Sequence, residues 1–303
     1  MKKWGDFLLA DEEVLKRTHH HSLDIIENCG IRFHSKKALE ILDGAGAKIA
    51  GAIAKIPGNV IETALKKAPA SFTLCARNPD LDLKLDGYHT YLSQDGCAAF
   101  TIGFDTGERR PSRKEDIEKM ALIADYLDNI DIVSPTVSAR DIPKEAIAVH
   151  ELEACFTHST KHVVTESITS ARDARAQIEF ASVVAGGKDK LRERPLFSNF
   201  ICTVSPLIQD KGGIEAALEF AEAGIPVGVY SMATAGLSSP VTLAGTHVVL
   251  NAEVISALAL IQLAAPGAKV FYAGGPATLD LRTGSYVASS PEALILRMLV
   301  AEQ

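Results

Sequence analysis

From Ile130 to the last residue, short apolar runs alternate with longer stretches whose apolar positions recur at helical spacing. The short runs are IDIVSP, KHVVTES, LFSNFICTVSP, IPVGVYSM and AKVFYAGGP, rich in β-branched and aromatic residues and therefore read as strands. Between and after them stand KEAIAVHELEACFTH, ARDARAQIEFASVVAG, GGIEAALEFAEAG, PVTLAGTHVVLNAEVISALALIQL and PEALILRMLVAEQ, which read as helices. Five βα units in succession predict an α/β fold with strands parallel in one sheet and helices outside it. A doubly wound dinucleotide fold would place G-x-G-x-x-G after a strand, and no strand here is followed by it; DGAGAK follows a helix and reads as a C-terminal cap. The expected architecture is therefore a TIM (β/α)8-type barrel. Five units do not close eight strands, so the barrel is expected to be C-terminally truncated, with open sheet edges prone to pairing with another chain.

The front of the chain follows a different rhythm. DEEVLKRTHHHSLDIIENCG, SKKALEILDGAG and PGNVIETALKKAP predict three short capped helices between Glu12 and Ala68. LDLKLDGYHTYL then alternates apolar and polar residues about Asp86-Gly87, a hairpin signal. Residues 1–110 are accordingly expected to form an N-terminal α+β region and residues 111–303 the barrel domain, with Ser112 as the cap of the connecting helix.

Composition narrows the class of partner. With 47 % hydrophobic and 23 % charged residues over 303 positions the chain reads as globular, and a net charge of -7 spread along it argues against nucleic acid. The most apolar window, Leu243 to Leu263, carries His247, Asn251 and Glu253, which would be costly in lipid, so it reads as a buried core helix. No membrane association is expected. MKKWGDFLLADEEVL turns acidic before a secretory apolar stretch can form, and the five cysteines stand far apart without C-x-x-C. A cytoplasmic location fits both features.

Chemistry in a parallel barrel gathers at the carboxyl ends of the strands. Those ends carry a polar ring with aromatic interruptions: Glu166 and Ser167, Thr203 and Ser205, Tyr230, Met232 and Thr234, and Tyr272, Gly274 and Gly275. A single hydroxyl there could simply cap the next helix, and Ser239 before Pro240 is the clearest such cap. Glu166 directly follows apolar VVT, where a carboxylate could hold a cation or act as acid or base; a bridge to Arg140 or Arg172 is the structural alternative. Tyr230 and Tyr272 offer ring faces to a methylated ammonium group. Asp280 and Arg282 are expected to pair with each other. His158 and His162 have zinc-like spacing but straddle a helix end and a strand, so no metal site is expected. About ten small and polar residues separate IPVGVYSM from the long helix after it, more than a turn requires.

That stretch, SSPVTLAGT, together with NAE at Asn251–Glu253, QLAAPGAKVFYAG and LDLRTG, resembles the trimethylamine methyltransferase family of corrinoid-dependent methyltransferases. The similarity continues in ARNPD, DTGERRPSRKED, AGGKDKLRERP and SPLIQD, and covers nearly the whole chain. The resemblance implies a barrel whose mouth binds a methylated amine, trimethylamine or a quaternary amine such as glycine betaine, and passes a methyl group to reduced cobalt. The chain lacks D-x-H-x-x-G, so the corrinoid (cobalamin) is expected on a separate partner protein. On this expectation Glu166, Tyr230, Tyr272, Ser205 and Met232 bind substrate, while Thr234, Gly236, Ser238, Gly274 and Gly275 face the corrinoid. No catalytic side chain is named, because reduced cobalt needs no protein nucleophile. A homo-oligomer is expected. The competing expectation is a non-catalytic amine-binding or scaffolding paralogue of the same barrel.

Overall fold

The computed structural model describes residues 9–303. The N-terminal stretch read for a leader lies partly outside the described residues. All five predicted parallel-strand runs are strands, Ile132–Val133, His162–Thr165, Phe197–Cys202, Val227–Ser231 and Val270–Gly274, and the fold is α/β with a parallel sheet. The chain divides into two compact units. One takes the chain up to Pro69 with Ile201–Glu215 and Gly228–Gln303; the other takes Ala70–Phe200 and Ala216–Val227.

In the second of these units, Ile132 and Val133 pair in parallel with His162 and Val163, and Val163 to Thr165 pair in parallel with Phe197 to Asn199. Every residue of His162–Thr165 is buried, which is why its sequence is a continuous apolar and β-branched run rather than an alternating one. Helices Lys114–Tyr126, Ile147–His158 and Ala171–Ala185 cover this sheet. Phe156, Phe197 and Phe220 meet edge to face at 6.4 and 5.8 Å between centroids, and Phe180 stacks on Phe156 at 6.2 Å. Such pairs contribute about 0.5–1.5 kcal/mol each beyond area burial.

Two expectations fail here for identifiable reasons. Leu83–Leu85 pairs antiparallel with Phe72–Leu74, upstream, and not across Asp86-Gly87. Gly87 does turn the chain at φ +78°, but the Asp86 carboxylate accepts from the Tyr88 and His89 amides, and this local turn replaces a return strand. Ser112 does not cap its helix either. Its hydroxyl donates to the Ser138 carbonyl, and Arg113 stands at the cap position, where its amide donates to Asp116.

In the other unit the three predicted helices appear as Glu12–Asn28, Lys36–Gly44 and Gly58–Leu65, capped at their starts by Asp11, Ser35 and the Pro57 turn. All three pack on Leu243–Ala264, a 22-residue helix buried on every side over its central turns. That enclosure explains a helix apolar all round. It is long and apolar enough to cross a membrane, but 83 % of its most apolar window is covered by the protein itself. Short antiparallel strands Ile31–Phe33, Ile53–Lys55 and Lys48–Ala50, not foreseen from the sequence, are extended by Ile208–Gln209 in parallel with Arg32 and Phe33. Val227–Ser231 neighbours Val270–Gly274, and the Gly275 amide continues the contact by donating to the Ser231 carbonyl.

Candidate functional site

The carboxyl ends of the strands are polar in both units, and each end is built differently. In the second unit, Glu166 leaves the strand His162–Thr165 half-buried. Its Oε2 accepts from the Cys97 thiol at 3.5 Å, and the same sulfur lies 3.4 Å from Ser167 Oγ. Burial raises the Glu166 carboxyl above the ordinary carboxylate value, and the charge of Asp95 adds to that. Behind it Glu151 is 1 % exposed, accepts from the Ala139 amide at 3.2 Å, and is also raised, first by burial. The Cys97 thiol is pushed up to about 12, chiefly by desolvation and then by the carboxylates beside it. This is an electron-rich, cation-favouring shelf, with the thiol held protonated.

The backbone is shaped to close around that shelf. Cys97 has φ +72°, a left-handed conformation that costs a side-chain-bearing residue of order 1 kcal/mol. A Cβ on Gly96 would lie 2.8 Å from the Pro135 carbonyl oxygen and 3.5 Å from Glu166 Oε2. Glycine therefore lets the chain run tightly past the carboxylate. The expected alternative, a bridge from Glu166 to Arg140 or Arg172, is not formed among the described residues, and Arg140 instead lies over the Phe100 ring at 5.3 Å.

In the other unit the organising group is Glu253, fully buried in the middle of the long helix. Its Oε2 accepts from Thr203 Oγ1 at 2.7 Å, Ser205 Oγ at 2.8 Å and Ser231 Oγ at 2.7 Å, while Oε1 accepts from the Leu207 amide at 2.8 Å. Thr203 and Ser205 thus do not cap the next helix. Ser205 precedes a cis peptide to Pro206. Sequence reasoning passed over Glu253 as a site residue; the one available signal was a lone acid inside an otherwise apolar helix.

Tyr230 stands half-buried in Val227–Ser231, its hydroxyl against Gly275, where an added Cβ would overlap the ring. Glycine at 275 has a reason inside the protein, room for this ring. Gly274 is similarly crowded, by Leu250 and the Ser231 carbonyl. The Tyr272 hydroxyl is buried without a hydrogen-bond partner among the described residues, and burial raises its pKa.

Past Ser231 the chain makes a tight polar loop. The Thr234 amide donates to Ser238 Oγ at 3.0 Å, Thr234 Oγ1 donates to the Met232 carbonyl, and Gly236 turns at φ +81°. Met232, Leu237 and Val241 point apolar side chains to solvent, 45, 67 and 76 % exposed. The long helix does not begin at Ser239-Pro240 as expected: Thr242 caps it, accepting from the Gly245 amide, and Ser239 bonds to Thr246. Asp280 and Arg282 pair with each other at 3.3 Å. Glu166 thus belongs to one unit, while Tyr230, Tyr272, Ser205, Met232, Thr234, Gly236, Ser238, Gly274 and Gly275 belong to the other. Ser205 and Ser231 are joined through Glu253, and Tyr230 is joined to Gly275.

His158 and His162, whose spacing alone is zinc-like, stand on different elements. His158 ends a helix, and buried His162 bonds to the Cys75 carbonyl and to Ser198 Oγ. No group of three or more His, Cys, Asp and Glu side chains converges as metal ligands among the described residues.

An α/β fold with polar strand ends and an exposed apolar loop defines a class that many chemistries share, and comparison with known proteins narrows it. The chain belongs to the trimethylamine methyltransferase (MTTB) family, whose model matches residues 2–303. It is 36 % identical over 295 residues to a trimethylamine methyltransferase of Desulfitobacterium hafniense strain DSM 10664 / DCB-2, covering 97 % of this chain and 59 % of that one. It is 32 % identical over 285 residues to a glycine betaine methyltransferase of D. hafniense strain Y51, covering 94 % of this chain and 59 % of the relative. The chain therefore spans about three fifths of the length of these relatives. The fold is shared with the crystal structure of the Methanosarcina barkeri monomethylamine methyltransferase, at a TM-score of 0.65 and 15 % identity over 99 % of this chain and 60 % of that one.

Proposed function

We propose that this chain is the methyl-donor side of a corrinoid-dependent methyltransferase: it binds a methylated amine, trimethylamine or a quaternary amine such as glycine betaine, and gives one methyl group to the Co(I) corrinoid of a separate protein. The observation that carries this reading is where the candidate site residues stand. At or just beyond the carboxyl ends of four of the five strands, the end where parallel barrels place their chemistry, stand Glu166 in one unit and Thr203, Ser205, Tyr230, Met232, Gly274 and Gly275 in the other. The names of the two Desulfitobacterium relatives supply the two amine candidates. The five βα units are proposed to be part of a (β/α)8-type barrel, and cysteines outside any disulfide fit a reducing cytoplasm.

The side chains divide the work by chemistry. Glu166 supplies a carboxylate for a cationic nitrogen; in a half-buried place that charge attracts a cation more strongly than it would in water. Tyr230 supplies a ring face, worth about 0.5–2 kcal/mol toward a methylammonium, whereas Tyr272 shares a strand face with Gly274, which lies against Leu250 of the long helix. Met232, Leu237 and Val241, exposed and apolar on a tightly turned loop, fit the docking of a large planar corrin. When docked, the corrinoid supplies the nucleophile. The protein's part is to hold the methyl carbon in line and keep water out. The C–N bond breaks with its electron pair staying on nitrogen, so a quaternary amine leaves neutral without a proton donor.

The test is methylation of free cob(I)alamin by the purified protein with trimethylamine, glycine betaine, dimethylamine and tetramethylammonium in parallel. Amine-dependent loss of the Co(I) absorption with at least one of them is expected. Saturable amine binding with no methyl transfer under any condition would leave the non-catalytic paralogue as the better reading.

A further inference from the structure

We propose that Glu253 is a positioning residue for the amine site, acting through the ends of the strands Phe197–Cys202 and Val227–Ser231 and not by touching substrate. The inference rests on the methyltransferase reading above and concerns how the Tyr230 side of the site is held. A buried carboxylate is costly unless its lone pairs are filled, and here three hydroxyls and one amide fill them. Those donors come from separate pieces of backbone: Thr203 and Ser205 just past one strand, Leu207 in the turn that follows, and Ser231 at the end of the next strand. One carboxylate therefore ties both strand ends and the turn to the middle of one helix.

The consequence for Tyr230 follows from strand alternation. Ser231 turns its hydroxyl to the helix, so its strand neighbour Tyr230 faces the opposite side of the strand. Around them the backbone is fixed as well. The Thr203 amide donates to the Tyr230 carbonyl at 3.0 Å, and the Gly275 amide donates to the Ser231 carbonyl at 2.9 Å. Leu207 is held at φ +60°, a left-handed conformation unfavourable for leucine; its amide goes to Glu253 and its carbonyl accepts from the Arg32 amide at 2.9 Å. The helix grips the short strand after that turn as well, through Gln209, whose Nε2 donates to the Glu253 carbonyl at 2.7 Å. A neutral apolar residue at 253 would fill the helix interior equally well. The carboxylate is there for the strand ends.

Glu253→Gln and Ser231→Ala test this with two independent readouts, hydrogen exchange and the KM-against-kcat split with cob(I)alamin as acceptor. The substituted carboxamide keeps one accepting oxygen and offers donors where acceptors are needed. Exchange is expected to rise about tenfold or more at residues 203–209 and 228–232 while helix 243–264 stays protected. KM for the amine is expected to rise about tenfold in Glu253→Gln and about threefold in Ser231→Ala, with kcat at saturating amine within about threefold of the parent. Parent-level exchange at both segments would overturn the proposal, as would loosened segments with an unchanged KM. If the parent itself methylates no cobalamin with any amine, the methyltransferase reading falls and with it the amine-site role, while exchange still decides whether Glu253 orders the strand ends.

Discussion

Lowering the pH from 7 to 5 is expected to weaken the fold measurably through one buried histidine, His162. The ring is fully enclosed, Nδ1 lies 2.8 Å from the Cys75 carbonyl oxygen, and Nε2 lies 2.9 Å from Ser198 Oγ. A carbonyl only accepts, so Nδ1 carries the proton and Nε2 accepts from the serine hydroxyl. The neutral ring is thus fully satisfied, and a second proton would create a buried charge. Desolvation accordingly lowers the pKa from 6.5 to about 4. Because the folded value lies below the unfolded one, the stabilisation is complete above pH 6.5 and is lost as pH falls toward 4, where the unfolded chain gains a proton that the folded chain refuses. The span of about 2.5 units corresponds to roughly 3.4 kcal/mol in full, of which about 2 kcal/mol is lost between pH 7 and pH 5.

The assay is urea unfolding of the parent and of His162→Asn at both pH values. Asparagine can still donate to Cys75 but does not titrate, so other ionising groups cancel in the comparison. The variant is expected to be less stable at pH 7 by about 1–2 kcal/mol for its lost Ser198 partner, and to close that gap by pH 5. A gap that stays constant between the two pH values would refute the reasoning.

Other consequences are equally specific. Lys161 is 6 % exposed and its Nζ donates to the carbonyls of Ala124, Leu127 and Ile130 at 2.8, 2.7 and 2.6 Å, so Lys161→Met should cost roughly 3 kcal/mol in denaturant unfolding by stranding all three. Gly275→Ala must displace Tyr230; a loss of about 1–3 kcal/mol in stability together with weaker amine binding by calorimetry is expected. Glu166 is raised above 4.5 by burial, so amine affinity should strengthen as pH rises through its shifted value, and Glu166→Gln should flatten that dependence in calorimetric titrations. Tyr230→Leu should weaken trimethylamine or glycine betaine binding by about 2–30-fold, and an unchanged Kd would remove that ring from the proposed amine site.

What could be read from the sequence was whatever depends on local pattern. The parallel strands were visible as short apolar, β-branched runs, unbroken where the strand is buried on both faces, as in HVVT, and their helices were visible from spacing and caps. Pairing partners were not. Leu83–Leu85 alternates as a strand should, but alternation does not say whether its partner lies upstream or downstream. Ser239 and Thr242 are both good capping residues, and three residues of turn decided between them. The Glu253 net joins residues 22 to 50 positions apart, and the Cys97 to Glu166 contact spans 69. Such contacts leave no periodic trace. Glu166 was legible as a chemical candidate from its place after VVT; the thiol that meets it was not.

Methyl transfer can be followed atom by atom, and that observation bears most directly on the account. With trimethylamine or glycine betaine labelled with 13C at the N-methyl groups, and cob(I)alamin as acceptor, nuclear magnetic resonance should show one labelled carbon per turnover moving from nitrogen to cobalt and the demethylated amine appearing in equal amount. Label that stays on nitrogen with every amine offered, while the protein is folded and the cobalt reduced, would contradict it.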